Sequence, residues 1–95
     1  MNTKKITKVM KALSNPNRFE LFMEILKKNQ SSYKGEDCFV YDIIEKFKIG
    51  APTISHHLKE LANADLIITE RKGKLLVARI NEKTLNELSD VINLK

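Results

Sequence analysis

Residues 50–80 read GAPTISHHLKELANADLIITERKGKLLVARI, and they hold the groups best placed to do chemistry. Ser55, His56, Lys59 and Asn63 recur at helical spacing on one side. Ile54, Leu58, Leu61 and Ala62 recur on the other. A helix with an apolar back and a front of hydroxyl, imidazole, ammonium and amide groups can offer donors and acceptors to base-pair edges in a DNA groove. Arg71, Lys72, Gly73 and Lys74 follow as a hairpin loop between two apolar runs, 66–69 and 75–80, with glycine where a positive φ is convenient. Such a basic hairpin would stand beside the helix as a wing and meet phosphates or a minor groove. The plainer accounts are a solvated helix face and a charged turn that keeps an edge strand soluble. The coincidence of polar helix, preceding turn and basic hairpin favours a groove-binding unit.

The elements that must hold this unit in place follow from periodicity. Ile6, Val9, Met10 and Leu13 predict a helix over 3–13 with one apolar stripe. Ser14-Asn15-Pro16-Asn17 breaks it. Either Ser14 or Asn15 can cap a second helix that runs to about Asn29, with Phe19, Leu21, Phe22, Ile25 and Leu26 inward. The polar stretch QSSYKGED, 30–37, predicts a loop. A third helix over 38–47 turns Val40, Ile43, Ile44 and Phe47 inward. Lys48-Ile49-Gly50 forms the turn of a helix-turn-helix, with Gly50 supplying backbone freedom. Pro52 suits the first turn of the fourth helix, where its missing N–H costs nothing. After the hairpin, Asn81 or Glu82 opens a last helix with Leu85, Leu88, Ile92 and Leu94 on one side.

The expected fold is thus mainly α, in the order α-α-α-α-β-β-α, a winged helix-turn-helix in one domain over 1–95. The stripes of the first and last helices exceed what so small a core absorbs, and point to a two-fold homodimer; packing back on the same protomer is the alternative.

Composition narrows the partners. Lys and Arg number 17 against 12 acids, for a net charge of +5. Residues 1–30 hold seven of those bases and two of the acids, so the excess sits on the first helices and on the helix–hairpin unit. A basic surface of this kind favours polyanions through counterion release. No apolar tract is long enough to span a membrane, and no secretion signal is legible at the start. One cysteine, Cys38, excludes an internal disulfide and fits a reducing, cytoplasmic setting.

Two segments resemble the arsenic-repressor (ArsR/SmtB) family of bacterial transcription factors. KALSNPNRFELFMEIL, 11–26, is similar to that family's ALSDPTRLRIL opening. ISHHLKELANADLI, 54–67, continuing into RKGK, is similar to its VSHHLKxLxxAGLV helix and wing. The resemblance runs through nearly the whole chain in order. It implies a homodimeric winged-helix repressor on an inverted-repeat operator, with the fourth helix in the major groove of double-stranded DNA. Carried across residue by residue, it places Thr53, Ser55, His56 and Lys59 on the DNA side. Thr53 and Ser55 are short hydroxyls near a helix N-terminus that itself attracts phosphate. His57 lies about 100° further round, nearer the buried edge, where packing competes with DNA contact. Arg71, Lys72 and Lys74 complete the set, while Arg18 can serve either the core or a DNA phosphate.

The chain departs from the family where many members hold metals. Their C-V-C-D-L stretch corresponds here to Phe39-Val40-Tyr41-Asp42-Ile43, with aromatics at both cysteine positions and Cys38 one place out of register. A lone thiolate is a poor site for soft metals. The last helix offers Glu87 and Asp90 but no His or Cys, and the adjacent His56 and His57 point different ways. Neither metal nor cofactor is therefore expected. A single thiol also excludes an internal dithiol switch, leaving Cys38 as a small apolar filler or a reactive thiol at a helix start.

Two other function classes compete. A winged helix can dock a protein instead of DNA, but docking needs exposed aromatic or Met anchors, and the 53–63 front has none. An enzyme needs a phosphate-cradling glycine loop, paired carboxylates or a nucleophile beside a base, and none of these is legible.

Overall fold

The computed structural model describes residues 2–30, 40–47 and 49–93. Among these residues are five helices and one hairpin: α1 (Thr3–Leu13), α2 (Pro16–Gln30), α3 (Val40–Lys46), α4 (Ala51–Asn63), β1 (Ile67–Lys72), β2 (Leu75–Ile80) and α5 (Glu82–Ile92). The mainly α order expected from the periodicity is the order found. The loop at 31–37, Cys38, Phe39, Lys48 and Leu94 lie outside the described residues.

Asparagines start three of the helices. Asn2 accepts from the Lys5 amide at 2.8 Å, Asn15 from the Arg18 amide at 3.1 Å, and Asn81 from the Thr84 amide at 3.4 Å. Each satisfies one of the amides that a helix start leaves without a partner. Between the two capping candidates for α2, Asn15 is the cap. The Ser14 hydroxyl instead donates backward to the Lys11 carbonyl at 2.7 Å.

One core joins all the elements. Val9 and Ala12 of α1, Leu21, Phe22 and Ile25 of α2, Val40 and Ile43 of α3, and Ile54, Leu58 and Leu61 of α4 meet Ile67, Ala78 and Ile80 of the hairpin and Leu88 of α5. The α1 stripe is split. Val9 is sealed against its own protomer, while Met10 is 44% exposed. Phe19, expected inward, is also 44% exposed and stands with Met23 and Phe47 along an open groove on the outer side of α2. The inward set of α2 is the narrower one, Leu21, Phe22 and Ile25, because α1, α4 and β2 cover only that side.

Helix α4 ends in a Schellman motif. The Leu66 amide donates to the Leu61 carbonyl at 3.1 Å and the Asp65 amide to that of Ala62 at 3.0 Å, with Asp65 at a φ of +61°. Leu61 and Leu66, both buried, form the apolar contact that accompanies this ending. Gly50 needs a correction. It precedes α4 at φ −60°, ψ 145°, which any residue adopts, so backbone freedom is not why glycine stands there.

The hairpin also differs from its expected outline. Arg71 and Lys72 belong to β1, Lys72 pairs with Leu75, and the turn is Gly73-Lys74 alone. Gly73 sits at φ +65° and Lys74 does not share the positive sign, the pattern of a II′ turn. Two-residue turns of this type match the strand twist, so pairing runs on to the tip. The Asn29 side chain at the end of α2 accepts from the Ile80 amide at 2.9 Å, and the Asn81 amide donates to the Leu66 carbonyl at 3.0 Å. These two bonds fix the base of the wing to the helical body. No helix among the described residues is long and apolar enough to cross a membrane.

Candidate nucleic-acid interface

The back of α4 is core and its front is open. Ile54, Leu58 and Leu61 are buried, whereas Thr53, Ser55, His56, Lys59 and Asn63 are exposed. The alternation is a direct result of apolar residues at helical spacing, which fix the rotation of α4 about its axis. Pro52 sits in the first helical turn, and Gly50 brings no side chain to cap it.

His57 is set apart from the other seven sequence-predicted positions. It is only 8% exposed, and its Nδ1 has no hydrogen-bond partner among the described residues. Burial holds its pKa below the ordinary histidine value, and the nearby charge of Arg18, then His56, pushes in the same direction. The His56 and His57 rings lie 6.1 Å apart, tilted by 49°, one outward and one inward.

Two clefts flank the α4 front. On the wing side, Ser55, Lys59 and Asn63 share an opening with Thr69, Arg71 and Leu76. The front of the helix and the wing thus border one shared opening, with Leu58, Ala62 and Leu76 at its apolar part. Arg71, Lys72 and Lys74 are all exposed along the far half of the hairpin. Arg79 is already committed to Glu70, at 2.6 Å across the strands. On the other side, His56, Glu60 and Asn63 face Lys8, Lys11 and Arg18 across a cleft of about 460 Å³. The Arg18 guanidinium lies 3.8 Å from the Glu60 carboxylate, and its buried Nε has no hydrogen-bond partner among the described residues.

Sequence reasoning placed the front of α4 and the wing but missed Lys8 and Lys11 as neighbours of the helix. The charge excess over 1–30 was their only signal. Which side of α1 would turn toward α4 depends on the crossing of two helices far apart in the chain.

At the position where the family's metal-holding stretch carries its second cysteine, Tyr41 is 60% exposed; Glu45 raises its pKa by accepting its hydrogen bond. Among the described residues, no three of His, Cys, Asp and Glu come together closely enough to hold an ion.

Comparison with known proteins agrees with this geometry. The sequence model of bacterial regulatory proteins of the arsR family matches residues 34–69. The arsenical resistance operon repressor of Staphylococcus xylosus is 32% identical over 96 residues, covering 98% of this chain and 85% of that protein. The transcriptional repressor SdpR of Bacillus subtilis strain 168 is 37% identical over 79 residues, covering 83% of this chain and 79% of that one. An ArsR-like transcriptional regulator from Rhodococcus sp. RHA1 superposes with a TM-score of 0.73 at 19% identity, over 94% of this chain and 76% of its own, a likeness of fold. With its helix-turn-helix, its wing and relatives of this closeness, the chain belongs to the ArsR family of bacterial regulatory proteins, which are regulators of transcription and not enzymes.

Proposed function

We propose that this DNA-binding transcriptional repressor acts as a homodimer on an inverted-repeat operator, with residues 1–95 serving both DNA binding and dimerisation. The observation that carries the reading is the exposed front of α4. Thr53, Ser55, His56 and Lys59 stand clear of the core and run without interruption into a basic wing. In this reading Ser55 and His56 meet base edges, Thr53 and Lys59 meet bases or phosphates near the groove wall, and Arg71, Lys72 and Lys74 hold the backbone. His57 packs beneath them and orients the helix. Exposed Met10 on α1 and Val91 and Ile92 on α5 supply apolar surface for the two-fold contact. Regulation by the family's metal sites is not part of this reading, since Tyr41 stands at a cysteine position and α5 carries Glu87 and Asp90 without His or Cys.

Selection from a pool of random duplexes tests it. The expected product is a palindrome whose half-sites lie about one helical turn apart. Ser55→Ala with His56→Ala should flatten the selected sequence, while Arg71→Gln with Lys74→Gln should weaken binding to all duplexes alike. Recovery of no common sequence at moderate salt sinks the proposal.

A further inference from the structure

A helix lying in the major groove is bounded by two phosphate backbones, one along each of its sides. The wing supplies cations on one side only. On the opposite side of α4 the cleft of about 460 Å³ is lined by Lys8 and Lys11 of α1, Arg18 of α2, and His56, Glu60 and Asn63 of α4. Lys8 and Lys11 are three residues apart on one helix, so they project from the same side of α1. Both are exposed, and neither ammonium has a partner among the described residues. Arg18 is held more firmly, with its side chain 17% exposed and its amide on the Asn15 cap. Its separation of 3.8 Å from Glu60 is well beyond a charge-assisted hydrogen bond of about 2.7–2.9 Å. Its buried Nε has no hydrogen-bond partner among the described residues. Three cations thus face one carboxylate, and the cationic excess is unspent. His56 belongs both to this cleft and to the exposed front of α4, which makes the cleft a continuation of the reading surface.

We propose that this cleft holds a phosphate of the operator backbone on the side of α4 away from the wing. Lys8 and Lys11 contact the phosphate, and Arg18 acts as a positioning residue beside them. The recognition helix is then gripped from both sides. The inference rests on the DNA-binding reading and adds a second phosphate site to it.

The test compares wild type, Lys8→Gln with Lys11→Gln, and a Lys27→Gln control from the groove on the outer side of α2. Both substituted lysines of the double variant are exposed, so its fold should persist; circular dichroism and sedimentation check that. Affinity for the selected operator is measured across a range of salt concentrations. The log–log slope of the double variant should become shallower by about 1 to 2, since each neutralised phosphate contributes about 0.9. The selected sequence should not change, and Lys27→Gln should keep the wild-type slope. In a second arm, a neutral methylphosphonate is placed in turn at each operator phosphate. At one position in each half-site, outside the wing footprint, it should weaken the wild type while leaving the double variant unaffected. In a third, inorganic phosphate is titrated into the free protein.

An unchanged slope in a double variant that still binds DNA overturns the proposal. So does tight inorganic phosphate binding that needs Lys8 and Lys11 while the DNA slope is untouched, which would assign the cleft to a free anion. A wild type that binds no duplex removes the repressor reading itself, and the second site with it, a result distinct from both.

Discussion

Asp65 shows how one residue can hold a helix ending at a cost. Its φ of +61° is the left-handed conformation that L residues with a Cβ avoid, and aspartate tolerates it better than most. The family pattern carries glycine here. Asp65→Gly should therefore raise stability by about 0.5–1 kcal/mol, while Asp65→Val should lower it by at least about 1 kcal/mol. Urea unfolding of the three proteins measures both; equal midpoints would show that the Schellman bonds, rather than the strain, set this turn. His57 carries a different residue-scale consequence. Its folded pKa is held below the ordinary value of about 6.5, with burial as the main cause. In the unfolded chain the ring takes up a proton as pH falls through that value; in the fold it resists. Stability is thus full above about pH 6.5, declines as the pH drops through it, and levels off below the folded pKa. Glu24, whose pKa is lowered chiefly by its hydrogen bond to Lys46, acts in a more acidic window. Because Nδ1 of His57 has no partner among the described residues, His57→Leu removes no hydrogen bond made there by that atom and should cost little at pH 7.5. The stability difference between pH 7.5 and 5.5 should shrink in this variant. A difference as large as the wild type's would place the titrating group elsewhere.

At the scale of elements, the joint between α2 and the wing carries a long-range bond from a side chain to the backbone. The Asn29 side-chain oxygen, Oδ1, accepts from the Ile80 amide at 2.9 Å, part-buried, across 51 positions of sequence. Asn29→Ala leaves that amide unpaired and should cost about 1–3 kcal/mol, read as a lower denaturation midpoint with an unchanged slope. Asn29→Asp keeps an acceptor and should recover part of the loss. If alanine costs no more than an average surface change, the wing is held by its apolar base alone. This contact also shows where sequence reasoning stops. Helices and hairpin were legible because each has its own periodicity: Ile54, Leu58 and Leu61 recur on one side of α4, and Ser55, His56 and Lys59 on the other, whatever the neighbours are. The exposure of Phe19 was not legible, because an apolar residue near the edge of a stripe is covered or left open by the packing of other helices. The reach of β1 to Lys72 was hidden for a related reason. RKGK reads as loop by composition, but a II′ turn needs only two residues, so Arg71 and Lys72 take strand geometry. The cleft at Lys8 and Lys11 likewise depends on how α1 crosses α4, which no local pattern specifies.

The whole molecule measures 41 × 30 × 20 Å, which bears on how it can meet an operator. Half-sites one helical turn apart are separated by about 34 Å. A protomer of this size presents one α4, so occupying both half-sites takes two protomers side by side. The surface proposed for that contact includes exposed apolar side chains. Ile92 is 59% exposed, Val91 37% and Met10 44%, while Lys5 of α1 and Glu87 of α5 approach to 3.7 Å and bring the two helices together. Burying such surface against a second copy adds stability that depends on concentration, because the dimer is favoured by mass action. The melting temperature should rise as the protein is taken from about 1 to 100 µM, on the scale where dimers of ordinary interface size form. Ile92→Glu puts a charge into the proposed contact at a side chain already 59% exposed in the protomer, so the variant should fold, sediment as a monomer and melt independently of concentration. Its operator affinity should fall by about 10²-fold or more, since the second half-site then binds from solution instead of at high effective concentration. Binding to an isolated half-site should be unchanged. A wild type whose melting temperature ignores concentration, with Ile92→Glu binding the full operator as tightly, would mean that α5 faces water in the working molecule and that two-fold recognition is built elsewhere.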